Sequence, residues 1–197
     1  YQHRLDQANA VIETQQAELD KLNTDALIGS LTRIPNRRCF DKRIGEELSR
    51  FRRHGQTFSL ALLDIDHFKN VNDQYGHVVG DRVLRAISGV LSSDLRNSDF
   101  AGRYGGEEFV MILPETDWQE AIFVVNKILH KIEKARFRYE QLNIAVTLSA
   151  GITQVSPVDT EAVSIIARAD SAMYRAKEIG RNQVCANEPD GSPAATE

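Results

Sequence analysis

A run of apolar residues from Phe58 to Leu63 ends in two acids, Asp64 and Asp66. An uninterrupted apolar run of this length is typical of a strand that is buried on both faces in the centre of a sheet. Side chains alternate across a strand, so we expect Asp64 and Asp66 on one face and Ile65 on the other. Unpaired buried charge is costly, which favours a cation such as Mg²⁺, or a basic cluster, at this strand end. Two acids turned to water are the alternative.

A second acidic motif occupies residues 103–109, Arg-Tyr-Gly-Gly-Glu-Glu-Phe. The glycine pair permits a tight turn with positive φ, so the backbone can pass close to a ligand, and the apolar residues after it predict a strand. The turn would carry the paired acids Glu107 and Glu108. Such a hairpin suits cations and phosphates, and an ordinary hairpin with solvated acids is the alternative.

Five motifs follow one another in the order and spacing of a known family. They are Asp64-Ile-Asp-His-Phe-Lys69, Asn72-Asp-Gln-Tyr-Gly-His77, Gly80-Asp81, Gly105-Gly-Glu-Glu-Phe109 and Tyr174-Arg-Ala-Lys-Glu-Ile-Gly-Arg-Asn182. Together they resemble the GGDEF-domain diguanylate cyclases over roughly 31–184. The resemblance implies an enzyme that condenses two GTP into cyclic di-GMP and releases two pyrophosphates. Each site would hold one GTP, so catalysis would require a homodimer.

The resemblance also implies a metal site at the two acidic motifs. Two Mg²⁺ ions, with Mn²⁺ as a substitute, would be held by Asp64, the backbone carbonyl of Ile65 and Glu107. Metals shared in this way can activate a 3′-hydroxyl and neutralise charge on a transferring phosphoryl group. Glu107 also matches the family's proton acceptor, Glu108 has a less defined catalytic role, and Asp66 would lie behind the metal ligands.

A guanine pocket is implied as well. Guanine offers N1–H and an amine side by side, a donor pair that Asp81 together with Asn72 would accept. Standing alone, Asn72 would be interpreted as a helix cap and Asp81 as a surface acid. The other implied GTP contacts are His77, Gly105, Gly106, Lys69, Lys177 and Arg181, the last three at the triphosphate. Lysines and arginines on surface helices are otherwise usually solvated.

Arg96 and Asp99 form an Arg-x-x-Asp motif that ends shortly before Gly105, where the family carries its inhibitory site for cyclic di-GMP. The planar fork of Arg96 can bind a phosphate or a guanine edge, and Asp99 can accept from guanine. A surface ion pair of little energetic value is the alternative. Inhibition would require a second basic residue that the sequence does not identify.

The first residues of the chain carry a heptad pattern. The seam is Leu5, Ala8, Ile12, Gln15, Leu19, Leu22 and Ala26. It predicts a dimeric coiled coil over 1–28, with an amphipathic helix folded onto its own domain as the alternative. A catalytic domain over 29–186 and a disordered tail over 187–197, rich in Pro, Gly, Ala and acid, complete the predicted organisation.

The remaining pattern predicts an α+β fold. We expect helices from about Arg37 to Arg53, Val79 to Leu95, Asp117 to Ala135 and Thr160 to Gly180, and strands at Thr57 to Asp64, Ile144 to Gln154 and Gln183 to Cys185 around the glycine hairpin. The resemblance refines this to a central, mainly antiparallel sheet flanked by helices, preceded by a coiled-coil helix and similar to the palm of nucleotide cyclases and polymerases.

The chain departs from the family pattern where stalk and domain would join. Gly29 replaces the usual Asp and Arg33 the usual Gly, while Asp25 lies one helical turn earlier. These changes bear on the coupling between dimer geometry and catalysis more than on the chemistry.

The composition of the chain limits which binding partners and which compartment are expected. A net charge of −4 gives no reason to expect nucleic-acid binding, and no apolar stretch approaches a membrane span. Cys39 and Cys185 lack metal-ligand spacing, which favours a reduced, cytoplasmic compartment. A start at Tyr1 is expected for a piece of a longer receptor. Two other functions stay open: a catalytically silent module that binds GTP or cyclic di-GMP, and a dimerisation adaptor.

Overall fold

The computed structural model describes residues 27–190 of the chain. Its strands are β1 (Phe58–Ile65), β2 (Phe100–Arg103), β3 (Glu108–Pro114), β4 (Phe137–Tyr139), β5 (Leu142–Ile144), β6 (Leu148–Gln154) and β7 (Val184–Asn187). Five of them form a sheet in the order β2-β3-β1-β6-β7, antiparallel except for the parallel β6–β7 pair. The predicted α+β fold with a mainly antiparallel sheet is confirmed.

Helices cover both faces of this sheet. They are α1 (Arg37–His54), α2 (Phe68–Tyr75), α3 (His77–Asp94), α4 (Trp118–Lys134) and α5 (Ala162–Glu178). Alternate residues of β1 serve the two layers: Leu62 packs with α1 and α5, and Leu63 packs with α3 and α4. All eight residues of β1 are buried, as the apolar run predicted.

Local signals explain where the helices begin and end. The Asn36 side chain caps α1 by accepting from Cys39 N–H at 3.2 Å, and Gly55 ends that helix with a φ of 69°. Asp117 caps α4 by accepting from Glu120 N–H at 2.8 Å. These caps satisfy backbone donors that the first turn of a helix leaves free.

Two parts of the secondary structure differ from the prediction. The expected strand from Ile144 to Gln154 is split, because Ile144 closes a separate two-stranded sheet of β4 and β5 and β6 begins only at Leu148. Residues 145–147 lie between these strands, and Asp66 N–H donates to the Thr147 carbonyl at 2.9 Å, in line with the β1–β6 register. The short helix α2 was not predicted at all.

The domain extends past both predicted boundaries. At its start, Ile28 pairs with Pro35 and the Leu27 carbonyl accepts from Asn36 N–H. At its end, Asn187 was assigned to the tail but is buried in β7, where its side chain donates to the Arg168 carbonyl at 2.9 Å. The predicted coiled coil, up to residue 26, and the tail from residue 191 lie outside the described residues. Within 27–190, no helix combines the length and apolar character needed to cross a membrane.

Candidate active site

Asp64 lies near the end of β1, in register with Glu108 on β3 and Ser149 on β6. Its side chain is 10% exposed, and its Oδ1 accepts from Lys177 Nζ at 3.0 Å. Burial raises the pKa of Asp64; the hydrogen bond and charge of Lys177 oppose that rise, and the charge of Asp66 adds to it. The carboxylate therefore sits in surroundings that disfavour its charge despite a direct cationic partner.

The signature turn, residues 104–107, connects β2 to β3. Tyr104 N–H and Gly105 N–H both donate to the Glu108 carbonyl, at 2.8 and 3.2 Å. Positive φ was expected at the glycine pair, but neither Gly105 nor Gly106 is among the described residues with positive φ. A Cβ on Gly105 would lie 2.3 Å from Glu108 Oε2, the end of a flexible side chain that would have to shift, whereas a Cβ on Gly106 would meet nothing within 4 Å.

Glu107 and Glu108 carry the negative charge of this turn. Burial raises the pKa of each carboxyl, and the nearby charge of Asp64 raises it further, while Lys177 lowers it. Ile65 N–H donates to the Glu107 carbonyl at 3.3 Å, which joins the turn to the end of β1. The charge of Asp64 thus acts on both glutamates of the turn and β3, and Lys177 acts on all three acids.

This cluster fits a hard divalent cation. Among residues 27–190, no three or more His, Cys, Asp or Glu side chains form a group that could hold a metal by themselves. Mg²⁺ sites of nucleotide enzymes, however, use only one or two carboxylates together with substrate phosphates. Burial raises the pKa of Asp64 and of Glu107, with smaller contributions from the charge of Asp66 on Asp64 and of Asp64 on Glu107, and a bound cation would offset these effects.

Asn72 on α2 and Asp81 on α3 line a second part of the site. A Cβ on Gly80 would lie 1.9 Å from Asn72 Oδ1, so the amide rests against α3 one residue before Asp81. Asn72 and Asp81 are half-buried, whereas His77 and Lys69 are exposed. The structure thus brings the two predicted guanine-binding residues to adjacent helices.

Lys177 and Arg181 come from the end of α5. Lys177 was predicted to contact a triphosphate, and in the structure its ammonium pairs with Asp64. Arg181 is exposed, in the turn that follows the helix. Lys177 is therefore partly buried against Asp64, whereas Arg181 lies at the surface.

Asp66 follows β1 but does not act as a free acid beside Asp64. Its carboxylate accepts from the Thr147 and Ser149 hydroxyls, both at 2.7 Å, and from Asn182 N–H at 3.1 Å. Because Ser149 is the cross-strand neighbour of Asp64, the two acids lie on the same side of the sheet end, as alternation predicted.

Arg96 and Asp99 lie elsewhere, in the turn between α3 and β2. Asp99 Oδ2 accepts from Arg96 N–H at 2.9 Å, and Asp99 N–H donates to the Arg96 carbonyl at 3.0 Å. Arg43 on α1 supports the turn by donating to the Ser98 carbonyl at 3.0 Å. No ion pair joins Arg96 to Asp99 within the described part of the chain, and the Arg96 side chain is exposed.

Arg103 was missed by the sequence reasoning. Its guanidinium donates to the carbonyls of Gly105 and Gly106, and burial lowers its pKa while the charge of Asp81 raises it. Arg103 N–H also donates to the Pro35 carbonyl at 2.8 Å. Its position as the first residue of the acidic heptapeptide was a signal in the sequence, but no function was predicted for Arg103.

Tyr104 was missed for a different reason. The Arg37 guanidinium lies 4.6 Å from its ring centroid, and Phe40 meets the same ring edge-on at 5.5 Å. The signature turn therefore rests against the start of α1. No local pattern indicates such a contact, because the partners are far apart in the chain.

Comparisons with known proteins agree with this geometry. The profile of the family described as "Diguanylate cyclase, GGDEF domain" matches residues 26–183. The chain is similar to diguanylate cyclase DgcP of Pseudomonas aeruginosa, with 39% identity over 85% of this chain and 25% of that protein. It spans no more than about half the length of the curated relatives it matches.

Solved structures are similar as well. The coiled coil and GGDEF domain of DgcB from Caulobacter crescentus, in complex with c-di-GMP, aligns with a TM-score of 0.87 and 33% identity, over 94% of this chain and 98% of that one. The active GGEEF domain of a diguanylate cyclase from Vibrio cholerae aligns with a TM-score of 0.73 and 35% identity, over 77% of this chain and 95% of that one.

Proposed function

The chain belongs to the GGDEF family of diguanylate cyclase domains, and from that premise we propose that it condenses two GTP into cyclic di-GMP with release of two pyrophosphates. The observation that carries the proposal is the acid cluster of Asp64, Glu107 and Glu108 beside Lys177 at the end of β1. Catalysis of phosphoryl-group transfer consists largely of positioning and of charge stabilisation, and this cluster would hold the divalent cations that neutralise the negative charge of the phosphoryl group.

Divalent metal is a general requirement of the family, and we propose Mg²⁺, two ions per site, with Mn²⁺ as a substitute. Asp64, the Ile65 carbonyl and Glu107 would hold them. When bound, the metal lowers the pKa of the 3′-hydroxyl and neutralises charge on the α-phosphate. The raised pKa values of Asp64 and Glu107 support this proposal, because burial and a neighbouring acid disfavour each carboxylate and a cation would offset both effects.

The chain's own residues then account for the bond changes. The 3′-oxygen of one GTP attacks the α-phosphorus of the other, the bond to the β-phosphate oxygen breaks, and pyrophosphate leaves. Glu107 accepts the proton of the attacking hydroxyl, a role that its raised pKa favours. Glu108 is close enough for its charge to respond to Asp64, and we assign it to the same step as a supporting acid.

Recognition of GTP is divided between two regions. Asn72 and Asp81 would accept from the guanine N1–H and amine, a pair that adenine lacks. His77 would add a further contact beside them. The other proposed contacts are the backbone of Gly105 and Gly106 and, at the triphosphate, Lys69, Lys177 and Arg181.

We further propose a homodimer formed through the heptad pattern over 1–28. One site holds one GTP, so two sites must face each other, and a stalk raises their effective concentration. GTP as the substrate, together with the free thiols of Cys39 and Cys185, supports a cytoplasmic location.

Cyclic di-GMP is proposed to inhibit the enzyme at Arg96 and Asp99. In support, the turn is preformed by the Arg96–Asp99 backbone contacts, and the exposed guanidinium is free to meet a phosphate or guanine. Isothermal titration with cyclic di-GMP on the wild type and on Arg96→Ala tests the site. Equal affinity in the two proteins would contradict it.

The decisive experiment for the function is incubation of the chain with GTP and Mg²⁺, followed by chromatography for cyclic di-GMP and an assay for pyrophosphate. Formation of both products at a one-to-two ratio supports the proposal. Binding of GTP without products would instead identify a silent regulatory module, and neither binding nor products would leave an adaptor role.

A further inference from the structure

Asp66 is the second acid of the strand-end motif, and it is 6% exposed. Each of its carboxylate oxygens already accepts hydrogen bonds. Oδ1 accepts from the Ser149 hydroxyl, while Oδ2 accepts from the Thr147 hydroxyl and from Asn182 N–H. A carboxylate that receives three donors has its charge satisfied within the protein, unlike its neighbour Asp64.

The third of these donors belongs to an unusual turn. Gly180, Arg181 and Asn182 have φ values of 132°, 62° and 48°. Positive φ is uncommon for a non-glycine residue, especially for one with a long side chain. Consecutive residues of this kind persist only where their surroundings hold them.

Contacts from several elements hold this turn. Arg181 N–H donates to the Ala176 carbonyl at 2.9 Å, and the Asn182 side chain donates to Glu133 Oε1 at 2.8 Å. Both partners lie on helices. The contact of Asn182 N–H with Asp66 is the one that ties the turn to the end of β1, where Asp64 lies.

We propose that Asp66 is a positioning residue that holds the left-handed turn 180–182 and thereby aims the Arg181 side chain at the triphosphate of GTP. The inference rests on the proposed function, because it takes Arg181 as a triphosphate contact. Without an acceptor at position 66, Asn182 N–H loses its partner, the turn relaxes, and the guanidinium loses its fixed direction. Asp66 then acts through Arg181 and not as a metal ligand.

The chemistry of the replacement side chain separates the two roles. In Asp66→Asn, the amide oxygen can still accept from Asn182 N–H and Thr147, while its NH₂ group donates to the Ser149 hydroxyl, which can rotate to accept. In Asp66→Ala, all three donors lose their acceptor. A positioning role therefore predicts that Asn retains function that Ala loses, whereas a metal ligand would suffer from the loss of charge in both.

The test is a double-variant cycle on the full chain, with kcat and the KM for GTP measured for Asp66→Ala, Asp66→Asn, Arg181→Ala and the combinations. We expect Asp66→Ala to raise KM about tenfold with a smaller change in kcat, and the double Ala variant to be no worse than Arg181→Ala alone. Asp66→Asn should stay within about threefold of the wild type. The Mg²⁺ concentration for half-maximal activity should not change in Asp66→Asn.

Asp159→Ala is the matched control, since Asp159 is another buried, hydrogen-bonded acid, 3% exposed, that lies away from Arg181. Its effect on KM should multiply with that of Arg181→Ala, because destabilisation alone gives no coupling. If the Asp66 and Arg181 effects also multiply, or if the Mg²⁺ requirement of Asp66→Asn rises, the positioning role is wrong.

A second measurement does not depend on activity. Hydrogen exchange at the Asn182 amide, followed by NMR, should be about tenfold faster in Asp66→Ala than in the wild type and close to wild type in Asp66→Asn. Unchanged exchange in Asp66→Ala overturns the inference even if the enzyme is active. If the wild type makes no cyclic di-GMP while the Asn182 amide exchanges faster in Asp66→Ala, the proposed function is wrong and the hold of Asp66 on the turn stands. If Asp66→Ala does not fold, Asp66→Ser takes its place in the cycle and in the exchange measurement, because its short hydroxyl cannot accept from all three donors, and the same outcomes decide.

Discussion

Asp159 and the acid cluster of Asp64, Glu107 and Glu108 lie in different parts of the molecule, and their surroundings shift their pKa values in opposite directions. Asp159, before α5, accepts from both terminal nitrogens of Arg168 at 2.7 Å, from the Ser164 hydroxyl and from Ser156 N–H. Burial alone would raise the pKa of Asp159, but hydrogen bonds from Arg168, Ser164 and Ser156 outweigh it and lower the pKa.

The acids near the end of β1 show the reverse. Burial raises the pKa of Asp64, Glu107 and Glu108, and the charge of Asp64 raises the pKa of both glutamates further, although Lys177 lowers all three. The difference separates a charge that stabilises the fold from charges that are left uncompensated. A structural acid receives its partners from the chain, whereas the acid cluster lacks positive charge that a ligand can supply.

The largest expected effect comes from removing one charge of the cluster. Glu107→Gln should lower the rate of cyclic di-GMP formation by about 10²–10⁴-fold, because it removes the proposed proton acceptor and a metal-ligand charge. Product formation by chromatography measures it. Glu120→Gln, an exposed glutamate on α4, is the control and should keep wild-type activity. Near wild-type turnover in Glu107→Gln would contradict the assignment.

The corresponding substitution at Asp159 should lower the stability of the fold. Asp159→Asn should lower the free energy of unfolding by about 3 kcal/mol, because it leaves the Arg168 guanidinium, 14% exposed, without its counter-charge. Urea unfolding followed by circular dichroism measures it. Because the folded-state pKa of Asp159 is lowered, its contribution is present above the usual pKa of 3.8 and is lost as pH falls through the folded-state value. A loss that is the same at pH 7 and at pH 3 would contradict this.

Metal should stabilise the cluster. Mg²⁺ added to chelator-treated protein at about ten times its dissociation constant should raise the free energy of unfolding by about 1.4 kcal/mol. The raised pKa of Glu107, usually 4.5, means that its charge costs stability as pH rises through that range, so the gain from Mg²⁺ should grow from acid to neutral pH. Thermal unfolding with and without Mg²⁺ at several pH values tests it. A gain in stability that is independent of pH would mean that these acids do not bind the metal.

The smallest effect has the opposite sign to that of Asp159→Asn. In metal-free protein at neutral pH, Glu107→Gln should raise the melting temperature by about 1–2 °C, because a neutral side chain relieves repulsion from Asp64. Calorimetry in the presence of a chelator measures it. A lower melting temperature would mean that Glu107 has a structural partner, and the contrast between the two groups would fail.

Much of the fold was predictable because its strongest signals are local. The apolar run of β1 identified the central strand and its terminal acids, and the caps at Asn36 and Asp117 marked helix starts within the chain itself. The helix α2 was not predicted, because its eight residues before the Gly76 cap are too few to show a clear helical period of apolar residues. The interruption after Ile144 was not predicted, because Ile144 pairs with Phe137 in the separate β4–β5 sheet and no local signal marks the end of that strand.

The sequence predicted which residues form the candidate site but not how they contact one another. The motifs gave Asp64, Lys177 and Glu107, yet nothing in their order shows that the ammonium pairs with the Asp64 carboxylate. The glycine pair suggested positive φ, whereas neither Gly105 nor Gly106 is among the described residues with positive φ. Contacts that arise when distant strands and helices meet have no local signal, so chemistry is easier to infer from a motif than geometry.

The order of the sheet has a consequence for synthesis on the ribosome. The chain makes its central strand β1 first, adds β3 and β2 on one side, and only at the end supplies β6, α5 and β7 on the other. Lys177 and the turn that carries Arg181 belong to this last portion. The acids of β1 and β3 are therefore made long before their cations, and the site can be completed only once translation has passed Asn187. A nascent chain stalled before Lys177 would carry the acid cluster without Lys177 or Arg181.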